Sequence, residues 1–210
     1  MANQRELVEA AARVFRTKGY HSASVQDIAD EVGILKGSLY HYVRSKEELL
    51  YLVIREPISR LYRTVEEVAS SDAAPAEKLR RAIEAHLQAF DDHYPDLFVY
   101  LRETEDLRKR FRAQTQLSPK HYERLWQQIL EEGVKAGVFR SDLDVKVVSY
   151  GLLGMLNWLY KWYDPKGRLG SREVARQFAA VALRGLTGSE GPARGRAARP
   201  RRGGARQKRR

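Results

Sequence analysis

The chain has 210 residues, nearly a third of them charged, a formal net charge of +11 and no cysteine. This excludes a disulfide framework and any thiolate metal site or thiol nucleophile, and fits a reducing, cytoplasmic setting. The N-terminal MANQRELVEAAARVF carries carboxylates where a secretion signal needs an apolar run. The most apolar segment, Val147 to Tyr160, is too short and interrupted to span a bilayer, so a soluble protein with no membrane partner is expected.

Helical spacing dominates and strand signals are nearly absent, so the expected fold class is all-α with about nine helices. Leu7, Ala11 and Val14/Phe15 recur at helical intervals up to Gly19. Ser24 followed by Asp27 makes a capping box for a second helix. Val25, Ile28, Ala29 and Val32 share one face of it, and Gly33 stops it. Leu35, Leu39 and Val43 form the inward stripe of a third helix, and Ser45 with Glu48 reads as another capping box. The long helix it opens carries Pro57, where a kink is expected.

Downstream, Pro75 falls in the first turn of the next helix and Pro95 ends it. Ser118 and Pro119 open another helix, and AGVFRSDLD and DPKGRLGS are connections. The charge is concentrated at the far end. Residues 189–210 hold eight Arg and one Lys against one Glu, hence +8, which leaves +3 for the rest. That tail of Gly, Ala, Pro and Arg has nothing to bury and is expected to be disordered. The expected domains are a three-helix helix-turn-helix unit at 1–46, a helical ligand-binding and dimerisation domain at 47–188, and the basic tail at 189–210.

One segment stands apart. Between Gly33 and Lys46, in GILKGSLYHYVRSKEEL, there are three cations and no carboxylate. With Leu35, Leu39 and Val43 inward, Lys36 and Tyr40 lie on one outer edge and Gly37 and His41 on the other. Gly37 lets a backbone approach closely. Lys36 can donate to guanine acceptors, and His41 can reach a base edge or a phosphate. Arg44 and Lys46 bracket the start of the fourth helix, whose N–H groups also favour a phosphate. Residues 1–48 hold seven cations and seven carboxylates, so segregation of charge, not its sum, marks a phosphate-facing side. Spacing alone leaves nucleic-acid binding and a plain surface element both open.

Residues 6–50, ELVEAAARVFRTKGYHSASVQDIADEVGILKGSLYHYVRSKEELL, resemble the DNA-binding domain of the TetR-like transcriptional regulators. The resemblance implies a sequence-specific DNA-binding regulator, not an enzyme. It further implies a homodimeric repressor that a small molecule releases from a palindromic double-stranded operator. It places Ser24, Tyr40, Tyr42 and Lys46 on DNA phosphates, and Gln26, Lys36, Gly37 and His41 on base edges. Leu35 departs from the small polar residue that the family sets before its recognition helix, so that helix lacks an evident side-chain cap. GILKGSLYHY and WYDPKGRLGSREVARQF are similar to the branch that senses acyl-CoA thioesters, which makes an acyl-CoA the implied effector; no cofactor is required.

The C-terminal half supports pairing independently. Val147 to Tyr163 is apolar all round, Gly151 and Gly154 thin one side, and Val174, Phe178, Val181 and Ala182 add a stripe on the last helix. A partner subunit covers such a surface; a central position in a monomer is the alternative. Phe90, Phe98, Tyr122, Trp126, Trp158 and Trp162 line a cavity or pack a core. Arg102, Arg108, Lys109, Lys161 and Lys166 meet CoA phosphates or stand solvated. His86 and His93, near Glu84, Asp91 and Asp92, read as solvated helix histidines and not a metal site. An enzyme finds no support in a glycine-rich phosphate loop, a metal cluster or a Ser-His-acid arrangement. The rival class is a helical protein that binds DNA or RNA non-specifically through its basic tail.

Overall fold

The computed structural model of the chain describes residues 3–93, 97 and 119–187, and these form eight α-helices and one 3-10 turn without a strand. The N-terminal unit comprises α1 (Gln4–Lys18), α2 (Val25–Val32) and α3 (Lys36–Leu39). The rest comprises α4 (Lys46–Ser70), α5 (Pro75–Asp92), α6 (Pro119–Lys135), α7 (Val145–Asn157), the 3-10 turn Trp158–Lys161 and α8 (Ser171–Thr187). Pro95, Phe98, Arg102, Arg108, Lys109, Ser118 and the tail 189–210 lie outside the described residues.

The helix ends follow local chemistry. Asn3 and Glu6 close a capping box on α1, and Gly19 ends it at φ 77°. Ser24 and Asp27 close the expected box on α2, and Gly33 ends that helix in the left-handed region, where a Cβ would be strained. Such a cap stabilises by about 1 kcal/mol. At α4 the expected box changes form: the Ser45 hydroxyl accepts from Glu48 N–H, but the Glu48 carboxylate accepts from Arg44 N–H at 2.6 Å, one residue further back. Pro57 sits buried inside α4 and the helix continues past it, although the ring cannot donate to the Val53 carbonyl.

The third-helix stripe is only partly inward. Leu39 and Val43 are buried, whereas Leu35 is 79% exposed. Leu35 is the N-cap, with extended backbone (φ −68°, ψ 142°), so it lies outside the helical phase that aims Leu39 inward. Ile34 packs against the core instead.

α5 is the centre of the larger domain, packing on α4, α6, α7 and α8. Its buried face carries Leu79, Ala82, Ile83, His86, Leu87 and Phe90. The buried Lys78 ammonium donates to the Ala69 carbonyl at the end of α4 (2.8 Å) and to Glu132 of α6 (2.6 Å). Asp91 accepts from Tyr163 (2.8 Å) and Ser171 (2.9 Å), which ties the start of α8 to α5. α6 stops because Gly137 turns left-handed at φ 69° and folds Phe139 back over Gly133.

A Cβ on Gly133 would stand 2.0 Å from the Phe139 ring. Gly133→Ala therefore lowers stability by about 1–3 kcal/mol in thermal denaturation. Gly37→Ala, where a Cβ meets open space, leaves the midpoint unchanged or slightly raised.

Candidate nucleic-acid interface and buried aromatic site

The helix-turn-helix unit is held by a small core of Leu7, Phe15, Ile28, Leu39, Leu49 and Leu50, all fully buried. Two ion pairs join its first two helices: Arg13 to Glu31 at 2.9 Å, and Lys18 to Asp27 at 2.6 Å. The Lys18 ammonium, with the backbone and hydroxyl of Ser24, holds the Asp27 carboxyl down at about 2. Beyond Leu39 the chain keeps turning, with His41 N–H on Ser38 and Tyr42 N–H on Leu39. The reading element is thus one short helix plus a tight turn.

Lys36, Gly37, Tyr40 and His41 are all exposed and share this element. No atom stands within 4 Å of where a Gly37 side chain would be, so the backbone there is open to close approach. Tyr42 is half-buried and packs on the core. Gln26 is exposed on α2, and its amide N–H donates to Asp30 at 2.7 Å, which steadies the side chain and leaves its oxygen to accept.

Two expected phosphate contacts are already committed within the fold. Ser24 gives its hydroxyl proton to Asp27 (2.8 Å) and its backbone N–H to the same carboxylate (2.7 Å). Lys46 donates to the carbonyls of Tyr20 (2.9 Å), His21 (3.4 Å) and Ala23 (2.9 Å), and lies 4.5 Å from the centre of the Tyr20 ring. An ammonium has three donors. All three face the turn between α1 and α2, so Lys46 anchors α4 to that turn. The spacing of charges along the sequence contained no sign of this.

In the larger domain, Tyr62, His86, Phe90, Tyr122 and Trp126 come together from α4, α5 and α6. Tyr62 stacks on Tyr122 at 4.4 Å between centroids, His86 stacks on Phe90 at 5.1 Å, and Trp126 meets His86 edge-on at 6.1 Å. His86 Nδ1 and the Tyr122 hydroxyl are 2.9 Å apart. Burial lowers the His86 pKa to about 4, opposed by Asn157, so the ring is neutral at pH 7. Burial also pushes the Tyr122 phenol well above its usual range. His86 Nε2 and Trp126 Nε1 are shut off from solvent and make no hydrogen bond of sound geometry, although Asn157 lies near the His86 ring and the Tyr122 hydroxyl near the Trp126 indole.

The expected aromatic lining therefore divides. Phe90, Tyr122 and Trp126 are gathered, whereas Trp158 (57% exposed), Trp162 (50%) and Lys161 lie at the surface. α7 ends at Asn157, and the tighter 3-10 turn that follows turns Leu159 inward and Trp158 outward. The Lys161 ammonium lies over the Tyr160 and Trp158 rings, at 5.0 and 5.8 Å. His86 is not solvated as expected. Its spacing from Leu79, Ile83 and Phe90 marks the buried stripe and was the available signal. Among the described residues no group of three or more His, Cys, Asp or Glu could hold a metal ion, and no helix is long and apolar enough to cross a membrane. A separate open groove of about 550 Å³ lies outside this site, lined by Thr64, Val68, Arg81, Glu84, Ala85, Gln88 and Arg172.

Residues 7–52 match the model of the bacterial regulatory proteins of the tetR family, and residues 72–186 match that of the tetracyclin repressor-like C-terminal domain. The HTH-type transcriptional repressor KstR2 of Mycobacterium tuberculosis is 34% identical over 184 residues, 87% of this chain and 92% of the relative. The TetR-family regulator PfmR of Thermus thermophilus superposes with a TM-score of 0.73 at 36% identity, covering 86% of this chain and 98% of the other. AibR, solved with isovaleryl coenzyme A and operator DNA, superposes with a TM-score of 0.67 at 26% identity, covering 88% and 97%. With an exposed reading element at one end and a helical domain around a buried aromatic cluster at the other, the chain belongs to the TetR family of DNA-binding transcriptional regulators.

Proposed function

We propose that the protein is a homodimeric repressor that leaves a palindromic operator when an acyl-CoA thioester enters its larger domain, and that it works in the cytoplasm. The observation that carries the effector half is the cluster around His86 and Trp126. A polar ligand group placed among these rings would find His86 Nε2 and Trp126 Nε1 to bond to. The cluster draws on α4, the helix that also begins against the DNA-reading unit. A ligand bound there acts on the operator by favouring one position of α4 over another. The kinship with KstR2 supports repression, and the AibR complex supports a thioester as the effector class. Lys161 and Lys166, both exposed, are available to CoA phosphates.

Pairing rests on exposed apolar residues of the last helices. Val147 (65% exposed), Tyr150, Trp158 and Val181 (66%) stand out from α7, the 3-10 turn and α8, while Gly151 and Gly154 leave room for close approach. A second copy covers this face and sets two reading elements one or more helical turns of DNA apart. On the DNA side we assign base reading to Gln26, Lys36, Gly37 and His41, and phosphate contact to Tyr40 and Tyr42. Ser24 and Lys46 hold those residues in place from behind.

Three outcomes follow. On a duplex selected from random sequence, acyl-CoA thioesters of graded chain length release the protein in fluorescence anisotropy, while free acids and CoA do not. Failure of every thioester overturns the effector class. Val181→Glu sediments as a monomer and binds the duplex at least about tenfold more weakly, since a charge cannot be buried unpaired between subunits. Lys46→Met lowers the thermal midpoint and the operator affinity but leaves the slope of log K against log salt unchanged. A direct phosphate contact would instead reduce that slope by about 0.9 per site.

A further inference from the structure

The large apolar side chains exposed among the described residues fall in two places. Val147, Tyr150, Trp158, Trp162 and Val181 belong to α7, the 3-10 turn with the residue that follows it, and α8, whereas Leu35 and Tyr40 belong to the reading element. Leu35 is the most exposed of all, at 79%. A lone surface leucine needs no explanation. This one, however, occupies the N-cap of α3, where Ser, Thr, Asp or Asn would stabilise the helix by about 1 kcal/mol and where no side-chain cap is made. It stands directly before Lys36 and Gly37, in a stretch free of carboxylates from Ile34 to Lys46. Its extended backbone takes it out of the phase that buries Leu39.

Leucine can neither donate nor accept a hydrogen bond, so it gains nothing from a phosphate. In the major groove the one apolar group that a natural base pair presents is the C5-methyl of thymine. We propose that Leu35 is a specificity-determining residue that reads a thymine methyl group in each half-site of the operator. The inference rests on the family's reading of this unit as DNA-binding. Lys36 and His41 supply polar recognition beside it, and Leu35 adds an apolar contact that a capping serine could not.

The test uses the full chain and a duplex selected from a random library. Each thymine in turn is replaced by deoxyuridine, which removes only the methyl group, and affinity is measured by anisotropy at fixed salt. The wild-type protein is expected to lose about fourfold at one thymine per half-site, and about fifteenfold when both copies are changed, the worth of one buried methyl each. Leu35→Ser is expected to bind the thymine and uracil duplexes equally at that position, while its thermal midpoint stays level or rises because a cap has been restored. The proposal is overturned if no thymine shows this loss, or if Leu35→Ser retains the wild-type discrimination. Failure to select any duplex sinks the DNA-binding reading itself, a result distinct from either.

Discussion

Three carbonyl oxygens at the end of the turn between α1 and α2 converge on one ammonium, that of Lys46. The carbonyls of Tyr20, His21 and Ala23 lie between the helices, and Lys46 brings three donors to them from the first residue of α4. The Tyr20 ring lies beneath the charge and packs edge-on against Phe15 of the core. The DNA-reading unit is thus fixed to the helix that leads into the larger domain by these donors, together with the apolar core that Leu49 and Leu50 of α4 share with Leu7, Phe15, Ile28 and Leu39. At its other end α4 offers the Ala69 carbonyl to Lys78, whose second partner is Glu132 of α6. One helix is therefore held by a lysine from below and a lysine from above, and between those points it contributes Tyr62 to the buried aromatic cluster.

Through α4 the aromatic cluster and the DNA-reading unit share one continuous element. The interior is densely packed and does not deform by degrees. Under the proposed function, a ligand bound beside Tyr122 would press on Tyr62 of α4, and α4 carries at its start the Lys46 that grips the turn between α1 and α2. A neutral imidazole suits such a site. It accepts at one nitrogen and donates at the other, and burial keeps it uncharged at physiological pH.

Much of the site was legible in the sequence where the governing forces are local. The boxes at Ser24–Asp27 and the stops at Gly19 and Gly33 depend on residues three or four apart, and they appear where expected. Leu35 was misread as inward because periodicity assumes that the helix has already begun; the helix begins one residue later, and the extended N-cap breaks the phase. Trp158 and Trp162 were misread for a related reason, since the change from α to 3-10 winding after Asn157 alters which residues face the core. The resemblance places Lys46 and Ser24 on DNA phosphates, and nothing within a few residues of Lys46 announces partners more than twenty positions away.

The sequence by itself determined the all-helical class, the position of the reading element, its segregation of cations from acids, and the family, because these rest on helical spacing, caps and a pattern of many residues over one short stretch. Only the tertiary structure decided which cations are free and which are spent on the fold, that His86 is buried and neutral with Trp126 beside it, and that Leu35 faces outward. Those outcomes depend on what distant helices bring to within three or four ångströms of a side chain, and no spacing along the chain encodes that distance.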